Sequence, residues 1–237
     1  MNREYHKWYS PSLGRDMELL LYGTGGRPVL AFPTSMGRFY QNEDFSLIQS
    51  LHDRLEHGHL QLLCVDAVDL ESWYNRSIPS RARAQRHNQY ENYLLHEAIP
   101  FFRSRNDRAN HELNITGASF GAYHAVNFAF RHPDVVKRVL AMSGAFSLQF
   151  LVHSDYDTEV YFNSPVDYMP NLNDEWFLSR IRQQEIILAA GSEDICLAST
   201  QQLSRILWDK GVWHHLDVWG GGWHDWPWWK LMVQKYL

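Results

Sequence analysis

Along this chain, apolar residues gather in short runs separated by longer stretches of mixed character. The aliphatic or alternating runs predict strands at about 17–22, 28–32, 60–66, 112–116, 136–142, 186–190 and 214–219. Several are continuously apolar, as strands buried on both faces should be. Helical patterning fills about 43–56, 81–104, 120–131, 198–210 and 225–236, so strand and helix alternate through most of the chain. That rhythm predicts an α/β fold, a three-layer αβα sandwich with helices on both faces of a mostly parallel sheet. The segment YSPSLGRDM carries turn residues and predicts an N-terminal strand folded back as an antiparallel edge. GTGG, from Gly23 to Gly26, lies between two strands with no helix after it and reads as a hairpin turn.

No internal repeat or low-complexity linker interrupts this pattern, and a single domain spanning 1–237 is expected. The one long stretch without periodicity is about 145–180, rich in Asp, Asn, Pro and Tyr. A segment of this length between two core strands is usually functional, and it is the candidate for a cap over the site.

Composition narrows the function classes. The 237 residues are 45% hydrophobic, enough for a sizeable core. A formal net charge of -5 and a pI near 6.2 provide no basic face for nucleic acid and no polybasic tract for an anionic membrane. The opening MNREYHKWYSPSLG has charges and prolines where a secretory signal needs an apolar stretch, and no run approaches the roughly 20 apolar residues that span a bilayer. A cytoplasmic protein is the expectation. The two cysteines, Cys64 and Cys196, are too few for a disulfide framework and lack zinc-type CxxC spacing, so both are expected reduced. Aromatic residues are numerous, with ten Trp, twelve Tyr and twelve Phe, and five of the tryptophans fall between Trp219 and Trp229. Most should be core, but rings this dense near one end also suit a pocket wall.

The most informative stretch is GASFGAYHA, Gly117 to Ala125, whose first five residues read GxSxG. Three fixed positions of common residues recur by chance in about one chain in ten of this length. Context raises its meaning. A strand, ELNIT, precedes the motif, and a helical stretch ending near His132 and Pro133 follows it. Strand, tight turn and helix is the setting in which the serine of GxSxG is presented as a nucleophile. Gly117, Ala118, Gly121 and Ala122 are small, as they must be where strand and helix nearly collide. The alternative is an ordinary serine at a helix N-terminus. If Ser119 is a nucleophile, the amide of Phe120 at the start of the helix is one oxyanion donor.

A serine hydroxyl needs a base, and the base needs an orienting acid. Asp194 stands just past one core strand and His224 just past the last, on the same rim as Ser119, in the chain order Ser, Asp, His. Rivals for the acid are Glu193, Asp155, Asp157 and Asp167, and Asp194 is also placed to cap a helix starting near Leu197. Among twelve other histidines, His214 and His215 sit at the incoming end of the last strand. His124 sits one turn down the helix after Ser119. Asp225 reads as the cap of the C-terminal helix.

The second oxyanion donor is expected from the loop FPTSMGRFY, Phe32 to Tyr40, as the amide of Ser35 or Met36, unless PTSMG is only a turn. Substrate walls are expected from rim residues Arg38, Tyr40, Trp73, Tyr74 and Trp223, though all these rings also suit a core. No metal and no organic cofactor is called for, because neither a zinc signature nor a phosphate-cradling glycine loop is present.

With these residues in place the chain resembles the esterase D-like branch of the α/β-hydrolases, and more closely a set of bacterial esterases. The stretches that carry the resemblance are LAFPTSMGRFYQNED, CVDAVDLESWYNR, GASFGAYHAVNFAFRHPDV, YFNSPVDYMP and DVWGGGWHDWPWW, spread over nearly the whole chain. It implies one αβα domain, a nucleophile at Ser119, a base at His224, an acid at Asp194 and an oxyanion loop in FPTSMG. The branch includes feruloyl esterases, S-formylglutathione hydrolases and mycolyltransferases, so it does not name the acyl group. The loop departs from the HG and DG patterns of those relatives. The expected activity is hydrolysis of a small-molecule ester of a small or aromatic acid through an acyl-enzyme. An acyltransferase, or a non-catalytic binding protein on the same fold, is the alternative. Oligomeric state is not readable.

Overall fold

Eight strands make one sheet in the computed structural model, which describes residues 1–237. They are β1 (Arg3–Ser10), β2 (Arg15–Tyr22), β3 (Arg27–Ala31), β4 (Leu60–Val65), β5 (Asn114–Ala118), β6 (Arg138–Met142), β7 (Glu185–Gly191) and β8 (His215–Trp219). Their order across the sheet is β1-β2-β4-β3-β5-β6-β7-β8. β2 pairs antiparallel with both β1 and β4, and every other pairing is parallel. The mostly parallel sheet with an antiparallel N-terminal edge is as expected.

Burial follows position in the sheet. β4 and β5 are buried at every residue, because helices cover both of their faces. Edge strand β1 alternates exposed and half-buried residues and is tied down by Glu97, which accepts from the Trp8 indole at 2.9 Å and the Ser10 hydroxyl at 2.8 Å. Two apolar layers result. Leu19, Leu21, Leu30, Leu63 and Val65 point to one face, where they meet α1 (Ser80–Tyr93), α2 (Ile99–Arg105), α3 (Phe120–Arg131), α4 (Glu175–Ile181) and α5 (Leu197–Asp209). Leu20, Tyr22, Val29, Leu62 and Cys64 point to the other, where they meet short helices and α6 (Trp226–Tyr236). No helix is long and apolar enough to cross a membrane.

Three expectations are corrected. GTGG is not a hairpin turn: β4 lies between β2 and β3, so the two strands it joins are not paired. Gly23 and Gly26, both at positive φ, let the chain pass against the backbone of Leu60 and of Gly58 and His59 as it steps over β4. The helix expected at 43–56 is three short helices, Gln41–Asp44, Leu47–Ser50 and His52–Glu56, because Ser46 takes a left-handed conformation at φ +61 and Leu51 leaves the helical region at φ -106 and ψ 8. The stretch 145–180 is not structureless. It contains the helices Gln149–Val152, Thr158–Tyr161 and Pro165–Tyr168, a 3-10 turn at Met169–Asn171 and the start of α4. Leu151, Val152 and Val160 pack with Phe120 and Tyr123, and the Tyr123 hydroxyl donates to the Asn163 carbonyl at 3.0 Å. The segment is thus seated along α3.

Candidate active site

Ser119 stands between β5 and α3 at φ +57 and ψ -121, a conformation rarely adopted by a residue with a side chain. Its neighbours explain how this is tolerated. The Ser119 amide donates to the Met142 carbonyl of β6 at 2.9 Å, and its carbonyl accepts from the Ala122 amide at 3.1 Å. A Cβ on Gly117 would lie 2.3 Å from the backbone of Gly121, and one on Gly121 would lie 2.3 Å from the Pro33 carbonyl oxygen. Only glycine fits at either position, so the turn is closed from both sides and pressed onto the loop after β3.

A second close approach brings the loops after β7 and β8 together. A Cβ on Gly191 would lie 2.0 Å from the Gly222 carbonyl oxygen. Across this contact the Ser192 amide donates to the Trp219 carbonyl at 2.9 Å, and the Glu193 amide donates to the Gly222 carbonyl at 2.9 Å. Asp194 and His224 meet as a consequence: His224 Nδ1 lies 2.8 Å from Asp194 Oδ1, and His224 Nε2 lies 3.0 Å from Ser119 Oγ. An ionised carboxylate only accepts, so Nδ1 carries a proton toward Asp194.

The electrostatics of the pair are opposed. The Asp194 side chain is fully buried, and the Cys196 amide also donates to its Oδ1 at 2.7 Å. Burial alone would raise its pKa, but His224, the nearby Ser143 hydroxyl and the Cys196 amide outweigh burial and hold the carboxyl below its usual value. Oδ2 makes no hydrogen bond of good geometry. Burial lowers the His224 pKa, yet Asp194 and the Cys196 side chain more than offset it and raise the ring from 6.5 to about 9.

The loop after β3 lies with its Pro33 carbonyl against Gly121, two residues past Ser119. The amides of Thr34 and Gly37 are occupied, by Gln41 Oε1 at 2.8 Å and the Thr34 carbonyl at 2.9 Å. Met36, at φ +56, donates its amide to Asp69 Oδ2 at 2.8 Å. This corrects the expectation for Met36, whose amide is committed to a buried carboxylate. Ser35 is left with an unpaired amide, and its hydroxyl accepts from the Tyr74 hydroxyl at 2.9 Å. Phe120, first residue of α3, also has an unpaired amide. Asp69 is held in turn by His124, whose Nε2 lies 2.8 Å from Oδ1, both side chains being buried. Residues 66–69 follow β4, so Asp69 occupies the same rim as Asp194 and His224, a signal present in the sequence and not read from it.

The expected wall residues divide. Tyr74 sets its ring edge-on to Phe120 with centroids 5.3 Å apart. Trp223, next to His224, is 63% exposed, and Tyr40 is exposed beside Arg38. One assignment is corrected. Trp73 is 0% exposed and packs in a cluster with Phe120, Tyr123 and Leu151, so it is core. Arg38 pairs with two carboxylates, Asp66 at 2.7 Å and Glu18 at 2.7 Å, and its side chain is partly exposed. The rival acids are engaged elsewhere: Glu193 is exposed and accepts from the Ser192 hydroxyl at 3.3 Å, Asp155 accepts from the Ser80 amide, Asp157 caps the helix Thr158–Tyr161, and Asp167 pairs with the Tyr156 hydroxyl. His214 is buried against Ser204, and Asp225 caps α6 as expected. A cavity of about 420 Å³ is lined by Phe130, Arg131, Phe162 and Phe177 at the far end of α3. At 1.5 Å per residue that is about 18 Å from Ser119, outside this constellation.

A serine hydroxyl, an imidazole and a carboxylate in line, beside two free amides, can move a proton and hold an oxyanion. A family model described as "Putative esterase" matches residues 10–235. Comparison with curated proteins finds no match. The fold is similar to that of a ferulic acid esterase, with 19% identity, 100% of this chain and 96% of that one covered and a TM-score of 0.80. It is similar to an S-formylglutathione hydrolase of Staphylococcus aureus, at 16% identity, 99% and 94% coverage and a TM-score of 0.71. An S-formylglutathione hydrolase from Agrobacterium tumefaciens aligns at 12% identity, with 99% and 92% coverage and a TM-score of 0.73.

Proposed function

Because the chain belongs to the Esterase family and is a carboxylic ester hydrolase, we propose that Ser119 is its nucleophile, His224 its general base and acid, and Asp194 the group that orients His224. The observation that carries this reading is the unbroken line Ser119 Oγ, His224 Nε2, His224 Nδ1, Asp194 Oδ1, with steps of 3.0 Å and 2.8 Å.

His224 takes the Ser119 proton on Nε2 as Oγ attacks the ester carbonyl carbon. The charge gathering on the carbonyl oxygen is met by the Phe120 and Ser35 amides, both without another partner. Asp194 stabilises the imidazolium without taking its proton. The Nε2 proton then passes to the leaving alkoxide, the C–O bond breaks, and an acyl-Ser119 ester remains. Water repeats the sequence, giving its proton to His224 and releasing the acid.

The acyl group in this reading is small or aromatic. Support comes from the rings about the nucleophile, Tyr74 edge-on to Phe120 and Trp223 exposed beside His224. Aromatic walls favour a flat acyl group over an extended chain. The test compares kcat/KM for p-nitrophenyl acetate, p-nitrophenyl benzoate, methyl ferulate and p-nitrophenyl palmitate. The proposal expects turnover of the acetate and at least one aromatic ester. Turnover confined to the palmitate would overturn the acyl assignment.

A further inference from the structure

Cys196 neither attacks the ester nor carries a proton in the chemistry above, yet its side chain belongs to the same constellation. One ligand atom each from Asp194, Cys196 and His224 lies within 4.8 Å of the other two. Asp194 and Cys196 share a turn through the hydrogen bond from the Cys196 amide to Asp194 Oδ1. The contact of Gly191 with Gly222 presses the His224 loop against that turn. The Cys196 thiol is free and half-buried, and Asp194 Oδ2 is a buried oxygen without a hydrogen-bond partner.

Carboxylate, imidazole and thiolate form a donor set suited to zinc-like divalent ions, at bond lengths of about 2.0–2.3 Å and hence ligand-to-ligand distances of about 3.5 Å. Closing from at most 4.8 Å to that spacing asks for a movement on the order of 1 Å, within the reach of the Cys196 side chain about its single χ1 torsion. The two anionic donors also balance a divalent charge.

We propose that Asp194, Cys196 and His224 form a binding site for a divalent transition-metal ion of zinc-like ligand preference, and that its occupation switches the esterase off. The second half rests on His224 being the base; the first does not. Neutral His224 carries one ring proton, on Nδ1, and turns the Nε2 lone pair to Ser119. An ion bound at Nε2 takes that lone pair directly. An ion bound at Nδ1 displaces the proton to Nε2, and again no lone pair faces Ser119. As the metal–sulfur bond forms, the Cys196 thiol releases its proton to solvent, and where His224 is protonated the ring releases one as well to free a nitrogen for the ion; nothing is oxidised. Mg²⁺, which takes oxygen ligands and keeps its waters, does not compete for this set.

The experiment uses Co²⁺ as a spectroscopic probe and Zn²⁺ as the inhibitor. Wild type and Ser119→Ala should both show the near-ultraviolet thiolate-to-cobalt charge-transfer band, and Cys196→Ser should not. Zn²⁺ should abolish p-nitrophenyl acetate hydrolysis by the wild type, reversibly on adding EDTA, while Mg²⁺ has no effect. Measured against each variant's own metal-free rate, Cys196→Ser should raise the Zn²⁺ midpoint by at least about tenfold. Absence of the band from wild type, its persistence in Cys196→Ser, or an unchanged Zn²⁺ midpoint in that variant would overturn the site. A Cys196-dependent band with full esterase activity in saturating Zn²⁺ would leave the site standing and refute the switch together with the role given to His224.

Discussion

Asp69→Ala removes a side chain that touches neither Ser119 nor His224, and the account predicts a large loss of activity from it. The carboxylate accepts from the Met36 amide at 2.8 Å and pairs with His124 at 2.8 Å, in a buried position. His124 Nδ1 has no partner, so Asp69 is the only group holding that ring by a hydrogen bond. Truncation orphans the buried His124 nitrogen at about 1–3 kcal/mol, while the freed amide of the exposed Met36 can turn to water. For a chain of this size that lowers the melting temperature by roughly 2–12 °C. The kinetic effect comes from the loop. Met36 is kept at φ +56 by its bond to Asp69, and this sets the direction of the adjacent Ser35 amide. Loss of one oxyanion donor lowers kcat by about 10²–10³-fold. KM for p-nitrophenyl acetate should move little, because the donor acts on the developing oxyanion. Asp69→Asn should recover most of kcat, since its carbonyl accepts from Met36 and its amide donates to His124 in the other tautomer. The assay is kcat and KM beside a circular-dichroism melt of each variant. A folded Asp69→Ala with the wild-type kcat would refute the argument.

Other consequences follow from the same geometry. Gly121→Ala puts a Cβ 2.3 Å from the Pro33 carbonyl oxygen, backbone against backbone, and should cost about 3 kcal/mol or more and misalign elbow and loop together; thermal melts and esterase rates test both. The raised His224 pKa gives two linked pH effects. kcat/KM should climb with pH through about 9 as the ring becomes the free base, and an inflection at or below 6.5 would contradict the geometry. Because the folded protein favours protonated His224, that contribution to stability is fully present below 6.5 and is lost as pH rises through about 9, which melts across that window would register.

Much of the framework is visible in local pattern because central strands buried on both faces leave continuous apolar runs. β5 is the instructive departure: the run ends at 116, but the strand continues through Gly117 and Ala118, small residues with little strand character that the elbow requires. The interruption at Ser46 has no pattern signature, because it depends on one backbone torsion. The crossing of GTGG depends on β4, whose arrival between β2 and β3 is a long-range event. Ser119, Asp194 and His224 are legible as positions because each follows a core strand, and parallel strands deliver such residues to one rim. Their hydrogen bonds are not, because these depend on glycine contacts between distant loops. Trp73 and Tyr74 are adjacent and equally aromatic in sequence. A turn in which the Ser72 amide bonds back to the Val68 carbonyl at 2.9 Å buries one ring under Phe120 and leaves the other near Ser35. The clamp of Asp69 on Met36 escaped notice because charge and hydropathy report a side chain's class and not its partner.

Ser119 as nucleophile is tested by the intact mass of wild type and Ser119→Ala after treatment with a fluorophosphonate, beside their rates on p-nitrophenyl acetate. The wild type should gain one phosphonyl adduct and the variant none, and turnover should fall in the variant by several orders of magnitude. Equal labelling or equal turnover in a folded Ser119→Ala would contradict that role.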